Sequence, residues 1–104
     1  FAPFGPQLVT RHSIADIQNL RVWSEINGEM RQNGNTSQMV FGVAEIVSYL
    51  SQFMTLMPGD LIYTGTPEGV GDGMQPPQYL QPGDVVRIGI EGLGEMRQVI
   101  EPPR

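Results

Sequence analysis

The chain has 104 residues, a formal net charge of -5, one histidine and no cysteine. Its six basic residues are all Arg, which excludes Schiff-base, general-base and Walker-type phosphate lysines within these residues. The missing thiols exclude thiolate metal sites, disulfides and thioredoxin-like redox chemistry, and an acidic balance without a basic run excludes nucleic acid and anionic membrane surfaces as partners.

In chain order, the opening Phe1-Ala2-Pro3-Phe4-Gly5-Pro6 lacks the basic and long apolar regions of a secretory signal. No later run approaches the roughly 18 apolar residues of a membrane span. The start reads as the middle of a larger chain. A charged content of 16%, against about a quarter in ordinary domains, adds the expectation that part of the surface is covered by something else.

Leu8-Val9-Thr10 is predicted as a short strand. Residues 21–26 lead into Asn27-Gly28, the residue pair a type I′ hairpin turn favours because both central positions need positive φ, and residues 29–32 return. Val22 and Ile26 fall on one face, Trp23 and Met30 on the other. Neither face is wholly polar, so the sheet is expected to be covered on both sides. Residues 32–37 are polar and turn-prone.

The spacing of Val43, Ile46, Val47, Leu50 and Phe53 or Met54 predicts one helix over 43–54 with a single buried stripe. Gly42 serves as N-cap, and Glu45 is placed to reach back to its N–H in half of a capping box. Two echoes follow, Pro58-Gly59-Asp60 and Pro82-Gly83-Asp84, each a type II turn leading into an apolar strand (61–64 and 85–90). Gly92-Leu93-Gly94 turns the second strand into residues 95–100, and Pro102-Pro103 ends the sheet. The architecture expected is α+β and β-rich, with one main helix.

Few residues offer chemistry. His12 has no carboxylate at ligand spacing and reads as a solvated loop histidine; with no nucleophile-elbow pattern, a Ser-His-Asp site is rejected. Asp60 and Asp84 read as turn residues, and Glu91 and Glu95 as solvent-facing flanks of a hairpin. The informative stretch is Tyr63-Thr64-Gly65-Thr66-Pro67-Glu68-Gly69-Val70-Gly71. Its glycines and hydroxyls allow two readings: an ordinary glycine-rich loop, or a cradle in which hydroxyls and backbone N–H groups hold a carboxylate or phosphate. The spacing fits neither G-x-G-x-x-G nor the Walker pattern.

Thr64-Gly65-Thr66-Pro67-Glu68-Gly69-Val70-Gly71 resembles the signature of the fumarylacetoacetate hydrolase family. The resemblance extends over Asn27-Gly28-Glu29, Arg31-Gln32, Asn35-Thr36-Ser37-Gln38-Met39, Tyr49-Leu50-Ser51-Gln52-Phe53, Gln81-Pro82-Gly83-Asp84-Val85-Val86 and Ile90-Glu91-Gly92-Leu93-Gly94, in the family's order and over nearly the whole chain. It implies a mixed β-roll or sandwich of that family's type and a cytoplasmic, commonly dimeric enzyme dependent on Mg²⁺ or Mn²⁺. The reaction implied is cleavage of a carbon–carbon bond in an acylpyruvate or diketo-acid substrate. In such enzymes the metal-binding carboxylates, a histidine–glutamate pair and a lysine lie upstream of Phe-x-Pro-x-Gly-Pro, matched here by Phe1 to Pro6.

Residues 1–104 therefore resemble the C-terminal part of one catalytic domain, and the N-terminal portion of the same enzyme is an expected partner. No residue here is expected to ligate the metal or act as acid or base. Thr66 matches a substrate-contacting threonine, and Gly65 brings the backbone close to the same ligand. Arg87 departs from the glutamate that many members carry at its position, and the insertion of residues 72–80 is like that of members acting on sugar-derived diketo acids or ureidoglycolate. Oxo-acid decarboxylation, isomerisation or ureidoglycolate lysis on the same fold stands as the alternative activity. A binding or assembly module that kept the fold without the chemistry is the alternative class.

Overall fold

The computed structural model describes residues 3–103, so Phe1 and Ala2 of the opening segment lie outside the described residues. Four strands, β1 (Arg21–Ile26), β2 (Glu29–Asn35), β3 (Val85–Ile90) and β4 (Gly94–Val99), form one antiparallel sheet in the order β2-β1-β3-β4. One helix, α1 (Val43–Ser51), lies between β2 and β3 in the chain. The α+β, β-rich expectation stands.

Local chemistry explains the turns. Asn27 (φ 52°) and Gly28 (φ 81°) both take positive φ in the β1–β2 turn, as a type I′ turn requires. Asn27 then ties this turn to the neighbouring strand: its Oδ1 accepts from the Val85 N–H at 2.9 Å and its Nδ2 donates to Asp84 at 2.9 Å. Both Pro-Gly-Asp turns close identically. The Asp60 carboxylate accepts from the Met57 N–H at 2.7 Å, and that of Asp84 from the Gln81 N–H at 2.8 Å.

Register decides what each face presents, because side chains directly across a ladder share a face. Val22, Ser24 and Ile26 pair with Ile90, Ile88 and Val86, giving one mostly apolar face that also carries Gln32, opposite Ser24. The other face carries Trp23, Glu25 and Met30 on β1–β2 and Arg87 on β3. There the indole lies on Gly89, where a Cβ would meet the ring at 2.6 Å. The Arg87 guanidinium sits 5.5 Å from the Trp23 ring centroid and pairs with Glu25 (2.9 Å) and Glu95 (3.0 Å). Glu95 is thus engaged in an ion pair rather than simply facing solvent. Glu91 accepts from the Arg21 N–H at 3.3 Å.

Several expectations are corrected. Leu8-Val9-Thr10 forms no strand; Leu8 is exposed, and the segment instead lies along the β3–β4 turn, with Gln7 donating to the Leu93 carbonyl at 3.4 Å and Ile14 packed beside Gly92. Residues 61–64 also join no strand. An apolar run becomes a strand only where a neighbour offers a ladder, and among the described residues none of β1–β4 pairs with 61–64. Residues 33–35, predicted as turn, extend β2, because Trp23, Val22 and Arg21 pair with Asn33, Gly34 and Asn35. Opposite Ser24 and Glu25 the register slips by one residue, leaving Arg31 as the extra residue of a bulge.

The helix ends at Ser51 rather than at 54: the N–H groups of Gln52 and Phe53 bond to carbonyls three residues back, in a tightened last turn. At its start no side-chain bond forms from the cap residue; the Val43 N–H is taken by Gln18 Oε1 at 2.6 Å. The predicted buried stripe is only half covered. Val43, Ile46 and Leu50 are half-buried, but Phe53 is 68% exposed. Ile14 is the one buried large apolar side chain among the described residues.

Candidate functional site

The stretch 64–80 crosses the apolar face of the sheet, and its glycines explain how it lies so close. Gly69 (φ 105°) rests against β2, where a Cβ would collide with the Arg31 carbonyl oxygen. At Gly71 a Cβ would collide with the carbonyl of Gln78, whose N–H bonds back to Gly71 O at 2.9 Å. Pro67 packs on Gly34, where a Cβ would come within 2.9 Å of the proline ring. These are packing glycines: Gly69 and Gly34 seat the loop on β2, and Gly71 lets it fold closely on itself. Gly65 differs. It takes φ 94°, and an added Cβ would meet nothing within 4 Å. Its surroundings are open because it lines a cleft.

That cleft has a volume of about 320 Å³. Its floor is apolar, with Val22, Ile90, Met39 and Ile46, and its rim carries Thr64, Gly65 and Thr66. Thr66 is exposed at this rim, and its Oγ1 accepts from Gln32 Nε2 at 2.6 Å. The same Nε2 donates to the Pro67 carbonyl at 2.7 Å, while Gln32 Oε1 accepts from the Ser24 hydroxyl at 2.8 Å. The two residues singled out from the sequence, Gly65 and Thr66, are thus adjacent on one cleft.

The opposite wall is a 3₁₀ turn over Thr36–Gln38. Asn35 Oδ1 accepts from the Ser37 N–H at 2.8 Å and Gln38 Oε1 from the Asn35 N–H at 2.9 Å, a reciprocal cap. Thr36 fastens this turn to the chain before β1, accepting from the Leu20 N–H and donating to the Ile17 carbonyl. Gln18 joins the wall to the helix, donating to the Thr36 carbonyl at 2.8 Å while capping Val43. Sequence reasoning missed Gln18 and the bonding of Gln32. Gln18 bonds to Thr36 and Val43, 18 and 25 positions away, and Gln32 to Thr66 and Pro67, 34 and 35 away, so no local pattern marks them.

A second cleft of about 430 Å³ lies on the same face, between Ile26, Val86 and the 69–80 loop. Arg31 reaches into the loop, donating to Gln78 Oε1 at 2.8 Å, and Tyr79 donates its hydroxyl to Asp72 at 2.7 Å. That bond raises the Tyr79 phenol above its ordinary pKa. Arg87 stands on the other face of the sheet and does not enter either cleft. Its guanidinium is held charged by Glu95 first and Glu25 second. His12 lies exposed in a separate 3₁₀ turn, in keeping with a solvated loop histidine.

Among the described residues no group of three or more His, Asp or Glu could hold a metal ion. The described residues therefore do not by themselves fit Mg²⁺ or Mn²⁺ as a ligand set; Asp60 and Asp84 close turns, and Glu25 and Glu95 pair with Arg87. Among the described residues no helix is long and apolar enough to cross a membrane.

The family described as fumarylacetoacetate (FAA) hydrolase, C-terminal, matches residues 1–101. A Burkholderia multivorans protein provisionally named a hydrolase is 55% identical over all of this chain and 37% of its own length. Among solved structures, fumarylacetoacetate hydrolase from psychrophilic Exiguobacterium antarcticum superposes with a TM-score of 0.93 at 46% identity, over 97% of this chain and 36% of that one. Maleylpyruvate hydrolase from Sphingobium sp. SYK-6, in complex with manganese(II) and pyruvate, superposes with a TM-score of 0.84 at 37% identity, over 93% of this chain and 34% of that one. The chain thus spans little more than a third of the length of these relatives. With the match running the length of the sheet, helix and signature loop, the chain belongs to the fumarylacetoacetate hydrolase family.

Proposed function

We propose that this chain supplies the substrate-facing threonine loop of a divalent-metal-dependent enzyme that hydrolyses a carbon–carbon bond in an acylpyruvate or diketo acid. The observation that carries the reading is Thr66, exposed on the rim of an apolar-floored cleft with its oxygen already hydrogen-bonded to Gln32. The pyruvate in the maleylpyruvate hydrolase complex supports the substrate class, and its manganese supports the metal.

In this reading Mg²⁺ or Mn²⁺ is held by an upstream portion of the same enzyme, which also brings the acid–base groups. The metal supplies Lewis-acid polarisation of the oxo-acid when bound. This chain orients the substrate. Thr66 donates its hydroxyl proton to an oxygen of the oxo-acid, Gly65 keeps the rim free of a side chain so that the ligand can lie against the backbone, and the floor of Val22, Met39, Ile46 and Ile90 excludes water from the apolar part of the ligand. The enzyme is taken to be a cytoplasmic homodimer. The apolar side chains left exposed on this chain, such as Phe53 and Met57, are suited to burial against further protein.

The test compares residues 1–104 alone with a polypeptide that also carries the upstream carboxylates, assaying acylpyruvate hydrolysis with added Mn²⁺. Turnover is expected only with the longer polypeptide, and metal-dependent activity from residues 1–104 alone would overturn the division of labour. In the longer polypeptide Thr66→Val is expected to remove one hydrogen bond to substrate, about 1 kcal/mol or up to about 3 if the acceptor is charged. Unchanged kinetics in that variant would make the loop structural only.

A further inference from the structure

We propose that Gln32, oriented by the buried hydroxyl of Ser24, is a positioning residue that biases Thr66 to act as a hydrogen-bond donor toward whatever occupies the cleft. The inference rests on the reading of Thr66 as a substrate contact and deepens it.

The orientation follows from donor and acceptor capacity alone. A side-chain amide has one acceptor end and one donor end, and the Pro67 carbonyl can only accept. The group 2.7 Å from that carbonyl must therefore be the amide nitrogen of Gln32. Its oxygen then faces Ser24, which must donate across 2.8 Å. Ser24 is only 5% exposed, so this bond is shielded from competing water. Both hydrogens of the amide nitrogen are now assigned: one to Pro67 O, the other to Thr66 Oγ1 at 2.6 Å. Thr66 receives a bond and so keeps its own hydroxyl hydrogen for another acceptor. A free threonine hydroxyl rotates between roles; this one is biased to donate, which suits a carboxylate or enolate oxygen and disfavours a ligand that presents an N–H or O–H.

Strand register is what builds the device. Ser24 and Gln32 are direct cross-strand partners on the loop-bearing face, and the bulge at Arg31 follows immediately. Were Arg31 paired in regular register from the turn instead of bulged out, it would stand opposite Ser24 and Gln32 would fall opposite Trp23, on the face away from the loop.

The test is a double-mutant cycle in the complete polypeptide carrying these residues, with Mn²⁺ present and pyruvate as the probe, its Kd read by calorimetry and thermal unfolding recorded alongside. Gln32→Met keeps the length and removes the amide; Ser24→Ala removes only the orienting hydroxyl and serves if the methionine variant does not fold. Thr66→Val is expected to weaken pyruvate by about fivefold or more. Gln32→Met should weaken it by a similar factor in the Thr66 background and by almost nothing in the Thr66→Val background, with Ser24→Ala following the same pattern at smaller size. If Thr66→Val leaves pyruvate affinity unchanged, the substrate-contact reading itself fails. If Thr66→Val weakens binding but the Gln32 and Ser24 variants lose the same factor in both backgrounds, that reading stands and the positioning role is overturned.

Discussion

Gly65 and Gly69 sit four residues apart in one loop, both at positive φ, yet alanine should affect them differently. At Gly65 the cost of substitution is conformational alone, about 1–3 kcal/mol for a residue held in a glycine-only region. At Gly69 the same conformational cost applies, and the new methyl also meets the Arg31 carbonyl, a backbone atom of β2 that cannot move aside as a flexible side chain would. Overpacking of that kind adds about 1–3 kcal/mol. Gly69→Ala should therefore cost about twice as much stability as Gly65→Ala, read as the difference in unfolding free energy from urea titrations of the protein. Ligand binding should separate the pair in a second way. The Gly65 methyl projects where the rim of the cleft is open, so Gly65→Ala should weaken pyruvate binding in protein that is still fully folded. Gly69→Ala should weaken it only by lifting the loop off β2, together with the Gln32–Thr66 bond. Equal destabilisation by the two substitutions would refute the claim that Gly69 is a packing glycine and Gly65 a ligand-facing one.

Two more outcomes are expected. Asp84 is held below the ordinary carboxylate pKa, first by the Gln81 N–H and then by Asn27, so its contribution to stability is present above the unfolded value of about 3.9 and lost as pH falls through the lower folded value. The stability gap between wild type and Asp84→Asn should accordingly close on acidification in that window; a gap that persists below it would show that the charge is not what the turn uses. Arg87→Met should leave pyruvate affinity within about twofold of wild type, because Arg87 lies on the face away from both clefts and distant sites act independently. A larger loss would place Arg87 in contact with the ligand or with groups that hold it.

Much of this protein is legible in the amino-acid sequence wherever the determinant is local. Asn27-Gly28 states a turn because both residues must take positive φ, and each Pro-Gly-Asp states its own turn and its own carboxylate bond. The Thr64 to Gly71 signature likewise announces the loop, since its glycines answer to backbone conformation and close approach. Elsewhere the determinant is a partner far along the chain, and only the tertiary structure decides. Residues 61–64 and 85–90 follow the same turn with similar apolar runs, yet only the second finds β1 beside it and becomes a strand. Polar residues 33–35 become strand because Arg21, Val22 and Trp23 lie opposite. Gln32 and Gln18 look like ordinary surface polar residues until the fold brings Thr66, Pro67, Thr36 and Val43 within bonding distance. A side-chain amide has no preference of its own for any of these partners; its role is set by which donors and acceptors the packed chain leaves around it.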